Sequence, residues 1–427
     1  MSTSRSDSRP RTTDRGARRR VGTPTGDPNS KRYESETHMS AALRVAMIGN
    51  GFMGAAHSQA WRVAPRFFDL DRSVEMAVIV GRDENKNAHL AEHWGWQEAA
   101  TDWREVIARD DIDIVDIVTP GHTHAEIAVA ALEAGKHVLC EKPLANSVEE
   151  AEVMAQAATR ARESGRFAMV GFTYRRVPAA TFARQLVQEG FVGKVRQVRA
   201  EYLQDWLMDA DSPLTWRLDK SKAGSGALGD IGAHAIDLTQ FITGEKLTRV
   251  SGSLETFVHE RPLVGERQGL SGTASNERGQ VTVDDCAVFM ARLSGGGIGT
   301  FTATRFATGR KNALRVEISG DKGAIAFDLE DMNSLSLYDA TAPADRQGFT
   351  KVLVTEAAHP YMAAWWPPGH MLGYEHAFSH QVRDFVTAIA AGEQPTPSFA
   401  DGWQVQRVLA AVERSAGTGS AWTDTAS

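Results

Sequence analysis

A chain of 427 residues exceeds what one small domain holds, and 42% apolar with 24% charged residues describes a globular protein able to bury more than one core. Its formal charge of −7 argues against nucleic acid as a partner, and no stretch approaches about 18 unbroken apolar residues, so none reads as a membrane span. Cys140 and Cys286 are too few for a disulfide framework and too far apart for a metal knuckle, so a reducing, cytoplasmic setting without a bound metal is expected.

Residues 1–40 are of a different material. They carry nine Lys/Arg against five Asp/Glu, a net of +4 that leaves −11 for the remainder, and almost no large apolar side chain. Such a segment cannot bury enough surface to offset its ordering entropy, which predicts a disordered basic extension. It lacks the apolar stretch of a secretory signal, and Met39 offers a second possible start.

Order begins at Leu43. The run Leu43–Gly49 (LRVAMIG) is short, apolar and β-branched, and Gly49, Gly51 and Gly54 follow as G-x-G-x-x-G between a strand and a helix. In that context the first glycine allows the tight turn, the second lets a pyrophosphate approach the backbone, and the third lets helix pack on strand. The helix opening at Phe52 and Met53 offers free N–H groups and the positive end of its dipole to phosphates.

The alternation continues along the chain. VEMAVIVG (Val74–Gly81), DIDIVDIVTP, KHVLCEKP and FAMVGF read as strands. ENKNAHLAEHWG, THAEIAVAALEAG and a segment opened by Ser147 and Glu150 in capping-box spacing read as helices. Strands alternating with helices predict a doubly wound parallel sheet. Ligands on such sheets bind beyond the carboxyl ends of the strands, where Gly49, Gly81, Thr119, Glu141 and Gly171 fall. Lys142 therefore emerges on the ligand side. At the second strand end, where an NAD-preferring site usually has an acid, stand Gly81, Arg82 and Asp83. Arg82 suits a 2′-phosphate or the adenine face, so NAD and NADP both remain open.

In the second half, KVRQVRAEYLQDWL alternates as a strand, and hairpins are expected across Gly295–Gly297 and over residues 314–330. Residues 260–280 are strongly polar and predict a surface loop. Consecutive hairpins after a β-α-β half argue for a separate, antiparallel sheet domain, and two C-terminal amphipathic helices around a Pro-rich turn read as scaffold. In GSGALGDIGAHAIDLTQFITG (Gly224–Gly244) a helix is expected from about Asp230. Asp230 and His234 then share a face four residues apart. Read alone, the pair fits an N-cap and a satisfied buried histidine at least as well as a site.

Three segments carry a family resemblance: GNGFMG, TPGHTHAEIAVAALEAGKHVLCEKPLA and GALGDIGAHAIDL resemble the Gfo/Idh/MocA oxidoreductases of sugars and cyclitols. The resemblance spans most of the chain from Leu43, with Gly121 standing where that family often has asparagine. It implies a Rossmann domain over 41–172 and, over 173–427, an α/β substrate and oligomerisation domain with a large, mostly antiparallel open sheet. It further implies homodimers or homotetramers formed through that sheet. The cofactor, NAD or NADP, would meet Gly49, Gly51, Phe52, Met53, Gly54, Arg82, Thr119, Pro120, His124, Glu141 and Lys142. Lys142, Asp230 and His234 would be catalytic, His234 as base and Lys142 as hydroxyl donor, an order the residues alone do not decide. A histidine near a helix N-terminus is expected to be neutral, because the dipole disfavours imidazolium.

For a sugar, polyol or glycoside the candidate contacts are Tyr174, Arg175, Trp206, Trp216, Arg217 and His370, since aromatic faces stack on sugar C–H surfaces and arginine forks bind hydroxyls. The tryptophans fit a core role equally well. Three functions stay open: a sugar or polyol dehydrogenase, a glycosidase that oxidises transiently and re-reduces, and a dinucleotide-binding regulator without turnover. Lys142, Asp230 and His234 together count against the regulator.

Overall fold

The first sheet forms where short apolar runs alternate with helices. β1 (Leu43–Ile48) leads through the glycine turn into α1 (Phe52–Phe67) and back to β2 (Val74–Val80). Then come α2 (Glu84–Trp94), β3 (Glu98–Ala100), α3 (Trp103–Ile107), β4 (Ile114–Ile117), α4 (His124–Glu133), β5 (His137–Cys140), α5 (Val148–Glu163) and β6 (Ala168–Val170). The strands pair in parallel in the order β3-β2-β1-β4-β5-β6. The order reverses between β1 and β4, which opens a crevice at their carboxyl ends. The short β3 and α3 were not among the expected elements. β3 has no apolar run of its own and exists because the edge of β2 offers it a ladder. This computed structural model describes residues 42–268 and 271–426, with the backbone alone at 265–268 and 271–274. The expected basic extension over 1–40 lies outside the described residues.

Alternation along β1 feeds both faces of this sheet. Val45 and Met47 join a core with Trp61 of α1, while Ala46 and Ile48 face Ile127 and Ala128 of α4 and Met154 of α5. The Ser147 hydroxyl caps α5 by accepting from the Glu150 N–H at 3.1 Å. The reciprocal arm of the expected capping box goes one residue further back, where the Glu150 carboxylate accepts from the Asn146 N–H.

Beyond β6 come α6 (Pro178–Gln188), β7 (Val195–Leu203), α7 (Lys220–Ala223), α8 (Ala233–Thr243), β8 (Leu247–Glu255), β9 (Glu260–Gln268), β10 (Ser271–Gln280), β11 (Cys286–Leu293) and β12 (Ile298–Thr304). After these lie β13 (Ala313–Gly320), β14 (Gly323–Asp328), β15 (Ser334–Asp339), β16 (Thr350–Leu353), α9 (Tyr374–Ala391), α10 (Phe399–Gly417) and β17 (Thr423–Asp424). The second sheet has nine strands in the order β16-β15-β14-β13-β7-β12-β11-β8-β17. Its pairs are antiparallel except β7 with β12. The two expected hairpins are β11–β12 and β13–β14.

The loop expected over residues 260–280 is instead the β9–β10 hairpin, a two-stranded sheet of its own. Ladder hydrogen bonds and a buried anchor hold it rather than an apolar face. Arg261, fully buried at its base, donates to the carbonyls of Leu207 at 2.8 Å and Asp209 at 2.7 Å.

Helices α6, α8 and α10 pack on the second sheet. The C-terminal helices also return to the first: α9 lies on α1, and α10 on α5 and β6. Phe378, Val382 and Phe385 of α9 share one core with Met47 and Trp61. Among the described residues no helix is long and apolar enough to cross a membrane.

Candidate active site

The glycine turn has the shape that a pyrophosphate requires. Gly49 adopts φ +116°, and a Cβ there would stand 2.8 Å from the Val118 backbone. At Gly54 a Cβ would meet the Gly49 carbonyl oxygen at 2.9 Å, whereas at Gly51 it would project into open space. Gly51 caps α1 without a side chain and no acid occupies the first turn, so the N–H end of the helix faces that space uncapped. Phe52 is exposed beside it, Met53 packs partly into the core, and Thr119 and Pro120 follow β4 at the same sheet edge. The turn fits a dinucleotide.

At the second strand end a side chain in place of Gly81 would have to displace those of Asn50 and Asn87. A Cβ would lie 2.2 Å from Asn50 Nδ2 and 2.4 Å from Asn87 Oδ1, and Asn50 donates to Asn87 across that spot at 2.6 Å. Asp83 is spent as the N-cap of α2, accepting from the Lys86 N–H at 3.0 Å. Arg82 is exposed. His124 and Glu141 are buried, at 1% and 4% exposure. The ring of His124 is held between the carbonyls of Thr119, 2.8 Å from Nε2, and Pro143, 3.0 Å from Nδ1.

β5 ends at Cys140, the Glu141 N–H donates to the Ile117 carbonyl at 2.9 Å, and Pro143 follows Lys142 through a cis peptide. Lys142 Nζ donates to the Asp230 carbonyl at 2.8 Å and stands 3.5 Å from Oδ1 of the same residue. Arg305, fully buried, brings Nη1 to 3.7 Å from the other carboxylate oxygen. Burial alone would raise the Asp230 carboxyl, but Lys142, Arg305 and Arg217 together hold it below the usual carboxylate range.

His234 is ringed by Tyr174, Tyr202 and Phe172, with centroids 4.6, 5.8 and 6.1 Å away. Burial first, and the charge of Lys142 second, push its imidazolium well below the ordinary value, so the ring is neutral. Here the helix-end expectation is corrected. Residues Leu228–Gly232 form a π turn that runs into α8, so Asp230 is no N-cap and His234 lies past the helical start. The start is set by Asp284, whose carboxylate accepts from the N–H groups of Gly226 and Leu228, both at 2.7 Å.

The expected sugar contacts divide. The Tyr174 hydroxyl lies 3.0 Å from that of Tyr202, which donates to Asn312 at 2.6 Å. Gln204 donates to the same Asn312 oxygen at 2.9 Å and accepts from Trp206 Nε1 at 2.9 Å. A polar chain thus runs from beside His234 to the half-exposed Trp206, whose ring lies 5.7 Å from the Arg305 guanidinium. Arg217 stacks on Trp216 at 4.5 Å and contributes to the field on Asp230.

Arg175 is committed elsewhere, clasping the buried Asp237 through two hydrogen bonds of 2.8 and 2.5 Å. His370 is exposed and donates to the Pro367 carbonyl of its own loop at 2.8 Å. Sequence reasoning missed Tyr202, Asn312, Asp284 and Arg305. Only the acid pair of VDDC, placed just ahead of a strand, offered a signal for any of them.

The parallel sheet in the order β3-β2-β1-β4-β5-β6 and the glycine turn at its carboxyl edge are those of a dinucleotide-dependent oxidoreductase. Residues 43–172 match the oxidoreductase family with an NAD-binding Rossmann fold, and residues 181–326 match the GFO/IDH/MocA C-terminal domain. The chain belongs to the Gfo/Idh/MocA oxidoreductase family. It is 42% identical over 387 residues to levoglucosan dehydrogenase from Pseudarthrobacter phenanthrenivorans, covering 90% of this chain and 98% of that one. A crystal structure of an oxidoreductase domain protein from Kribbella flavida aligns at TM-score 0.87 and 62% identity, over 90% of this chain and all of the other. Levoglucosan dehydrogenase in complex with NADH and levoglucosan aligns at TM-score 0.84 and 41% identity, over 90% of this chain and 100% of its own.

Proposed function

We propose that this protein oxidises a secondary hydroxyl of a sugar or polyol, with NAD or NADP held on the Gly49–Gly54 turn. The observation that carries this reading is the meeting of Lys142, at the end of β5, with Asp230 on the π turn one helical turn before His234. Bound nicotinamide supplies the hydride acceptor. Lys142 donates to the substrate hydroxyl and stabilises the oxyanion that develops on it. Neutral His234 accepts the proton. Its lowered pKa keeps the acceptor form available but makes it a weak base, so the acidifying effect of Lys142 on the alcohol is what matches the two. Asp230, kept ionised by Lys142, Arg305 and Arg217, orients Lys142 and accepts from a neighbouring sugar hydroxyl.

The likeness to levoglucosan dehydrogenase supports a pyranose or anhydro-sugar as the substrate, and the wall from Tyr174 to Trp206 supplies stacking faces and hydroxyl partners for one. Residues 41–172 serve the cofactor and 173–427 the substrate, with α9 and α10 shared between the two sheets. The second sheet, with Val288 and Met290 exposed on β11, is the surface for a homodimer or homotetramer. The unpaired Cys140 and Cys286 fit a cytoplasmic setting. The test is a spectrophotometric screen of levoglucosan, free pyranoses, inositols and glycosides with both cofactors. Net formation of reduced cofactor from a sugar is expected. Cleavage of a glycoside with no net reduced cofactor would replace the dehydrogenase reading by the glycosidase one.

A further inference from the structure

Beneath the crevice lies a charged cluster that hydride transfer does not itself employ. His57 of α1 is 1% exposed, Asp116 of β4 is 0% and Glu141, just past β5, is 4%. His57 Nδ1 donates to Asp116 at 3.0 and 2.9 Å, and His57 Nε2 donates to Glu141 Oε1 at 3.1 Å. Trp61 Nε1 donates to Asp116 at 2.7 Å. Both ring nitrogens face carboxylates, so both carry protons. Burial opposes that charge, yet the two carboxylates prevail and push the imidazolium up to about 10.

The cluster ends at the active lysine. The other Glu141 oxygen accepts from the Lys142 backbone N–H at 3.2 Å. Space for the carboxylate is kept by Gly171, where a Cβ would stand 2.6 Å from Glu141 Oε1. One buried side chain therefore joins the helix that opens at the cofactor turn, the strand beside it, and the peptide from which Lys142 departs.

We infer that His57 is a positioning residue: by holding Glu141 against the Lys142 peptide, the Asp116–His57–Glu141 triad sets the approach of the Lys142 ammonium to Asp230 and to the reacting hydroxyl. This rests on the dehydrogenase reading. His57→Gln keeps a polar side chain, but its single amide nitrogen cannot face both carboxylates as the two ring nitrogens do. Glu141→Gln keeps the size of its side chain and loses the charge.

In each variant single-turnover hydride transfer should fall by ~10-fold or more, and in His57→Gln, which touches no cofactor, cofactor Kd and sugar KM should stay within about twofold of wild type, because small misplacements of a reacting group cost rate rather than binding. The double variant should be no slower than the slower single. A folded His57→Gln protein within about twofold of wild-type rate, effects that multiply in the double variant, or a loss carried wholly by weaker cofactor binding would each overturn the inference.

A second readout needs no sugar. Reductive methylation of Lys142, followed by mass spectrometry, should proceed at a rate altered by roughly threefold or more in both variants. Unaltered labelling in both would overturn the inference. Altered labelling alongside a wild-type enzyme that turns over no sugar would sustain it and remove the dehydrogenase reading alone.

Discussion

At the scale of single residues, three positions test the proposed reading separately. With Lys142 as the proposed donor to the reacting hydroxyl, Lys142→Ala should lower hydride transfer by ~10²-fold or more, the usual contribution of a positioned proton-transfer group, while cofactor affinity changes little. Lys142→Arg should not rescue it, since a planar, permanently charged fork takes a different place. Near-wild-type single-turnover rates in both variants would make this lysine a turn residue. Gly51→Leu places a side chain in the open space in front of α1. Calorimetry should show no cofactor binding in a protein that still melts cooperatively. Arg82→Ala should weaken NADP more than NAD, because Gly81 stands where an acid would accept from the ribose and the exposed Arg82 remains as the charge at that corner. An unchanged affinity ratio would move the discrimination elsewhere.

At the scale of elements, the π turn and α8 form one device that presents Asp230 and His234. Its N-terminus is bound by Asp284, 7% exposed, whose carboxylate satisfies two N–H groups and whose carbonyl accepts from Ala227 at 3.0 Å. Gly226 is required there, since a Cβ would lie 1.8 Å from the Asp284 carbonyl oxygen. Asp284→Ala leaves buried donors unsatisfied and should cost about 2 kcal/mol of stability. Turnover should fall with it, because Arg305, which donates to the Asp284 carbonyl at 3.1 Å, also stands beside Asp230. Asp284→Asn retains one acceptor and should lose less on both counts in thermal melts and steady-state assays.

At the scale of the whole molecule, buried histidines shape the pH dependence of stability in two directions. Burial holds His137 down to about 4 and His380 to about 3, and lowers His124 and His234 as well. The rings of His137, His234 and His380 are neutral in the fold and take up protons when it opens, so stability falls as pH drops below their ordinary value of 6.5. His57 has the opposite sign. The folded protein holds its proton more tightly than the unfolded chain does, a contribution complete below 6.5 and lost as pH rises towards about 10. Thermal melts across this range should peak near neutrality, and His57→Gln should flatten the alkaline decline. An alkaline slope unchanged in that variant would show that His57 is not charged in the fold.

What the sequence determined by itself lies within short windows. The glycine turn, the strand–helix alternation and the lysine at a strand's carboxyl end all follow from periodicity and turn chemistry spanning a few residues, and each stands where it was expected. Even so, β3 was invisible, because pairing with β2 rather than any apolar pattern makes it a strand. β9–β10 read as a loop for the same reason. The tertiary structure alone decided which distant residues meet. Lys142 finds Asp230 across 88 positions and His57 finds Glu141 across 84. Arg175, read as a sugar contact, is turned onto Asp237, while Arg305, unmarked by any motif, stands over the site. A charge in a sequence shows only that a partner is required; burial and the packing of helices against two sheets choose the partner.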